Sequence, residues 1–121
     1  MYFKFGVDSF IWAENFSEKD LWVIEKAKEL GFEVIDFAIA NPFTFPLEAV
    51  KKEVERVGIE CVCTTTLTLE TTPISPDPAI RAKAVEAMKK CVDICNELKA
   101  PILGGVNYAG WGYLTKKPRT T

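Results

Sequence analysis

The sequence predicts an α/β fold of parallel strands, and three observations lead there. Short β-rich runs alternate with longer stretches of helical apolar period, in the order β-α-β-α-β-α-β. The turns that lead from helix back to strand are tight, about two to four residues each. One junction is also used twice, as Leu30-Gly31-Phe32-Glu33 and again as Val57-Gly58-Ile59-Glu60. Alternation of this kind implies parallel strands joined by right-handed crossovers, in a barrel or in an open sheet.

Each element has its own signal. Phe3-Lys4-Phe5-Gly6-Val7 reads as the first strand, residues 3–7. Ser17 is placed as an N-cap with Asp20 three residues on, a carboxylate form of the capping box, so a helix is expected over 18–30 with Leu21, Ile24 and Ala27 inward and Gly31 as its stop. A second strand follows at 34–38. Leu47, Val50, Val54 and Val57 recur with helical spacing, which predicts a helix over 46–57 that Gly58 ends. The β-branched run at 59–65 is the third strand. After a longer loop, Asp77-Pro78 supplies an N-cap and an N1 proline for a helix over 78–98, with Ile80, Ala84, Ala87, Met88, Cys91, Ile94, Cys95 and Leu98 inward. The fourth strand is expected at 101–103, with Gly104-Gly105 as its exit. Residues 106–121 read as an aromatic loop and a polar tail from Lys116 onward, without a fourth helix.

With 121 residues the chain supports a single small domain. Hydrophobic residues at 48% and charged residues at 26% give ordinary globular composition. The net charge of −2 is spread over interspersed acids and bases, so neither nucleic acid nor a membrane surface is expected as a partner. The apolar start, Met1 to Val7, is too short for a secretory signal, and no segment approaches the roughly 18 apolar residues of a membrane span. The expected location is the cytoplasm.

Cys61 and Cys63 lie two apart in a strand, and Cys91 and Cys95 four apart in a helix, so each pair shares a face. Structural zinc sites favour CxxC knuckles on turns, whereas these pairs lie in regular elements and read as small buried hydrophobes. Histidine is absent, which removes the commonest general base and transition-metal ligand.

No GxGxxG or P-loop follows the first strand, so no phosphate cradle is predicted. Ligands of parallel α/β folds bind at the carboxyl ends of the strands. That rim holds Asp8 and Ser9, then Asp36 and residues 38–41, then Thr64, Thr65 and Thr66, then Val106, Asn107, Tyr108 and Trp111. Carboxylates and hydroxyls for sugar OH groups, with an indole for the apolar side of a carbon chain, suit a polyol. Asp36 sits in an apolar strand, and a carboxylate there is costly unless paired, which marks it as a site or ion-pair residue.

Several segments together resemble the D-tagatose/D-psicose 3-epimerases among the xylose-isomerase-like sugar isomerase/epimerase barrels. They are Phe5-Gly6-Val7, the stretch from Lys28 to Phe37, Ser75-Pro76-Asp77-Pro78-Ala79-Ile80-Arg81, and Leu103-Gly104-Gly105 followed by Tyr108 and Trp111. The resemblance implies the N-terminal, (β/α)4-type half of a TIM barrel, with helices outside. It implies that full-length relatives epimerise free ketohexoses at C3 by proton transfer between two glutamates, assisted by a divalent Mn²⁺, Co²⁺ or Mg²⁺. The catalytic glutamates and metal ligands of such enzymes come from the other half, so no catalytic or metal-binding residue is assigned in this chain. Carried over by position, the substrate contacts fall on Asp8, Thr65, Val106, Asn107 and Trp111, with Asp8 standing where several relatives have an aromatic. The expectation is therefore a truncated epimerase-like protein, inactive alone. Its alternative is a non-catalytic half-barrel that binds a small polyol or serves only for interaction. Open edge strands and an uncovered inner face lead to the further expectation of a homo-oligomer.

Overall fold

A computed structural model describes residues 2–116; the proline-containing end of the tail read from the sequence lies outside the described residues. Four parallel strands form one sheet in sequence order: β1 (Gly6–Asp8), β2 (Val34–Ile39), β3 (Glu60–Thr66) and β4 (Leu103–Val106). Three helices connect them: α1 (Trp22–Glu29), α2 (Leu47–Val57) and α3 (Pro78–Leu98). Strand order equal to chain order, with a helix in every crossover, is the arrangement of a (β/α)-barrel wall.

Alternation along the strands sorts the side chains into two faces. Ile35, Phe37 and Ile39 of β2 and Cys61, Cys63 and Thr65 of β3 are buried toward the helices. The opposite face carries Val34, Asp36 and Ala38 of β2 beside Val62, Thr64 and Thr66 of β3, half-buried or exposed. Val23, Ile24 and Ala27 of α1, Val50 of α2, and Cys91, Ile94 and Leu98 of α3 close the core from the helix side. Phe37 meets Phe16 edge-on at 5.3 Å between ring centroids and Phe45 at 6.0 Å, so loop aromatics seal the upper end of the core.

Helix starts and stops follow the local chemistry. The Asp20 carboxylate accepts from both the Ser17 N–H (3.0 Å) and the Ser17 hydroxyl (2.8 Å), holding a single 3₁₀ turn before α1 proper begins. The helix expected over 18–30 is thus a tight turn followed by a shorter α-helix. The Asp77 carboxylate accepts from the Ala79 N–H at 2.8 Å, with Pro78 in the first turn of α3. Gly58 ends α2 at φ 69°, a left-handed conformation that a side chain disfavours, and its N–H donates to the Val54 carbonyl at 2.9 Å.

Two strand boundaries differ from the sequence reading. β1 starts at Gly6 rather than Phe3. Residues 3–5 are exposed, and only the Phe5 carbonyl joins the sheet, accepting from the Glu33 and Val34 N–H groups. Contacts of Tyr2 with Glu33 and of Lys4 with Glu60 hold this segment under the sheet instead. β4 runs to Val106, with Gly104 and Gly105 inside the strand rather than beyond it. They pair with Thr64 and Thr65, and at Gly105 the absence of a side chain is what lets the two backbones meet, whereas Gly104 has room for one.

The four cysteines are free thiols buried between β3 and α3. The Cys61 S–H donates to the Leu98 carbonyl at 3.4 Å. Burial pushes the Cys61 thiol up to about 11, and pushes Cys63 further in the same direction, so both stay protonated and behave as core groups.

Candidate functional site

The carboxyl ends of β1, β2 and β3, together with the loop after β4, open onto a cavity of about 600 Å³. Asp8, Glu14, Thr64, Thr66 and the rings of Phe10 and Trp111 line it. Local hydrogen bonds put these groups there. The Asp8 carboxylate accepts from the Phe10 N–H at 2.8 Å and so starts the 3₁₀ turn Ser9–Ile11. The fully buried Ser9 hydroxyl accepts from the Ala38 N–H at 3.0 Å, which ties that turn to β2. On the far side, the Trp111 N–H donates to the Leu67 carbonyl at 2.8 Å, and the Gly110 N–H donates to the buried Thr72 hydroxyl at 3.0 Å. The loop after β4 is therefore docked on the loop after β3, and Trp111 stands over the rim with an exposure of 70%.

Of the five residues placed at the site from the sequence, Asp8 and Trp111 line this cavity. Thr65 does not: it points toward the helices at 2% exposure, its hydroxyl donates to the Ile39 carbonyl at 3.2 Å, and the Cys91 thiol lies 3.6 Å away. Thr64 and Thr66 take the open side in its place. Val106 is half-buried opposite Thr66, and its carbonyl accepts from the Leu67 N–H at 3.3 Å; Asn107 is exposed just beyond it, and neither lines the cavity. Glu14, Asn15 and Phe10 also line it without having been singled out in the sequence.

Asp36 lies beside Asp8 in the β1–β2 register. Its Oδ1 is buried without a hydrogen-bond partner among the described residues. Desolvation raises its pKa, the neighbouring Asp8 charge raises it further, and the Thr64 hydroxyl acts the other way. A carboxyl raised in the folded state contributes stability when protonated, below its ordinary value of 3.8, and loses that contribution as the pH rises through the folded value. Asp36→Asn should therefore raise the urea midpoint at neutral pH, with the gap to wild type closing as the pH falls toward 3.8. A gap independent of pH would show that the charge of Asp36 carries no cost.

Among the described residues, no three His, Cys, Asp or Glu side chains converge to hold a metal ion. The chain has no histidine, and the two registered carboxylates Asp8 and Asp36 do not amount to a ligand set. The divalent ion implied by the resemblance does not fit the residues present here. No described helix is long and apolar enough to cross a membrane.

A parallel β/α wall with a helix in every crossover and a polar, aromatic-lined cavity at its carboxyl rim has the architecture of part of a (β/α)-barrel, and comparison with known proteins agrees on that fold. Residues 24–118 match the xylose isomerase-like TIM barrel family, and the chain belongs to it. It is 27% identical over 107 residues to a ketose 3-epimerase of Arthrobacter globiformis, covering 88% of this chain and 37% of that protein. It is 23% identical over 116 residues to an L-ribulose 3-epimerase of Mesorhizobium japonicum, covering 95% of this chain and 39% of that one. The crystal structure of a D-allulose 3-epimerase from Methylomonas sp. in complex with D-allulose matches with a TM-score of 0.83 at 25% identity, over 88% of this chain and 38% of that one. The chain thus spans about two fifths of the length of these relatives.

Proposed function

We propose that this chain forms part of the sugar-binding wall of a ketose 3-epimerase-type barrel and, taken alone, carries no epimerisation. The rim cavity is the observation that carries the reading. It offers carboxylate acceptors at Asp8 and Glu14, hydroxyls at Thr64 and Thr66, and an indole at Trp111 against which the carbon chain of a sugar would lie. Relatives named as ketose, ribulose and allulose 3-epimerases, one of them solved with D-allulose, support a ketose as the ligand class. The lack of a converging ligand set among the described residues supports inactivity of the isolated chain, because metal-assisted proton transfer needs groups this wall does not bring together. Four free thiols suit a reducing compartment such as the cytoplasm.

A non-catalytic, self-associating half-barrel is the second reading. It is favoured by the unpaired outer edges of β1 and β4 and by the exposure of Phe5 and Ile102 next to them. One experiment addresses both. D-fructose and D-allulose are incubated with the chain, with and without Mn²⁺; product is followed by chromatography, sugar binding by ligand-observed NMR, and mass in solution by light scattering. Saturable binding that Trp111→Ala weakens, without product, is the expected result. Metal-dependent product would overturn the claim of inactivity. Absence of binding by an assembled dimer would leave the second reading in place of the first.

A further inference from the structure

We infer that Thr72, which does not line the cavity, is a positioning residue for sugar binding: its buried hydroxyl holds the Trp111 indole in place over the rim, and Arg81 braces it from α3. The inference rests on the sugar-wall reading and adds to it the residues that set how well the wall binds.

Trp111 cannot hold itself. At 70% exposure its indole has little packing to fix it, so its place over the rim depends on the backbone that carries it. The Trp111 N–H donates to the Leu67 carbonyl, which leaves the chain just before it to be secured. There Gly110 lies so close to Thr68 that a Cβ would stand 2.3 Å from the Thr68 carbonyl oxygen. The Gly110 N–H is turned inward, and its acceptor is the Thr72 hydroxyl at 3.0 Å. Thr72 is 1% exposed, so losing that hydroxyl would leave a buried N–H without a partner. The cheaper response is for the loop to lift until the N–H meets water, and Trp111 would lift with it.

Thr72 is itself secured from α3. Its carbonyl accepts from the Ser75 N–H at 3.3 Å, and Ser75 is buried. The Ser75 hydroxyl accepts from the Asp77 N–H at 3.1 Å, next to the cap of α3. From the start of that helix, one Arg81 Nη1 donates to the Ser75 carbonyl at 2.8 Å and to the Pro76 carbonyl at 3.0 Å. A continuous path of hydrogen bonds therefore runs from α3 through Arg81, Ser75, Thr72 and Gly110 to Trp111. Ser75-Pro76-Asp77-Pro78 with Arg81 thus does more than begin a helix: it anchors the seat of the indole.

The test titrates D-fructose and D-allulose into the intact chain by ligand-observed NMR. Thr72→Val keeps the shape and removes the acceptor, and it should weaken binding about five- to tenfold. Thr72→Ser keeps the hydroxyl and should stay within about twofold of wild type. Arg81→Met, at an exposed position outside the core, should weaken binding about two- to threefold. In a Trp111→Ala background, Thr72→Val should cost nothing further, because its effect passes through the indole. Amide exchange should quicken at Gly110 and Trp111 in Thr72→Val and stay unchanged at Phe10, which is held by Asp8 across the rim. If Thr72→Val does not fold, Arg81→Met carries the same cycle with Trp111→Ala. Wild-type affinity in Thr72→Val, or a loss that persists without the indole, would overturn the inference and leave the sugar-wall reading standing. Absence of sugar binding by the wild-type chain would remove both.

Discussion

Replacing Phe37 by alanine is expected to unfold a large part of the population, with a loss of about 3–5 kcal/mol. Phe37 is fully buried at the centre of β2 and joins the sheet to the loop aromatics Phe16 and Phe45. Those two rings also lie 6.2 Å apart, tilted rather than stacked, so they cannot close over the gap without leaving their own contacts. Domains of this size hold only about 5–15 kcal/mol in total, which makes one such cavity decisive. Urea unfolding followed by far-UV circular dichroism measures it. A loss below about 1 kcal/mol would mean that the upper core collapses freely around the vacancy.

Gly105→Ala is expected to have a comparable cost for a different reason and in a different place. Gly105 sits at φ 101°, which L side chains rarely adopt. A Cβ there would also lie 2.2 Å from the Thr65 carbonyl oxygen and 2.7 Å from the Thr65 nitrogen, both backbone atoms that cannot yield. Strain and overlap together should cost on the order of 3 kcal/mol. The damage should also be local. β4 would separate from β3, and the Trp111 loop would lose its seat. Amide exchange distinguishes the outcomes: the Leu67 and Trp111 N–H groups, which donate to Val106 and Leu67, should lose protection while those of β2 keep theirs. Retained protection at Leu67 would show that the strand pair tolerates a methyl group at this position.

These two glycine and aromatic positions show what was legible before the structure and what was not. Parallel α/β order could be read because each helix carries one apolar stripe and each junction carries a stop signal, as at Gly31 and Gly58. The burial of the cysteine pairs followed from parity and helical spacing. The same parity held the answer for Thr65, since 61, 63 and 65 share one face of β3 and the cavity receives 64 and 66. A threonine run in which every residue has equal β-propensity hides that distinction until the face of the cysteines is applied to it. Glu14 and Asn15 gave no signal at all. They lie in the irregular link between β1 and α1, where no period exists to follow, and the hydrogen bonds of Asp8 and Ser9 together with the packing of Phe16 on Phe37 bring that link over the sheet. Gly104-Gly105 misled for a related reason: a glycine pair usually punctuates a chain, whereas here it lies within a strand and Gly105 permits an approach of two backbones that no local pattern reveals.

Strand order identical to chain order has a consequence for synthesis. Each new strand pairs with the one made just before it, so a chain emerging from the ribosome adds βα units to a single growing edge. No earlier pairing has to be broken to admit a later strand, and each pairing closes over only one intervening helix. Such an order lets the sheet be laid down by accretion, in the direction in which it is translated.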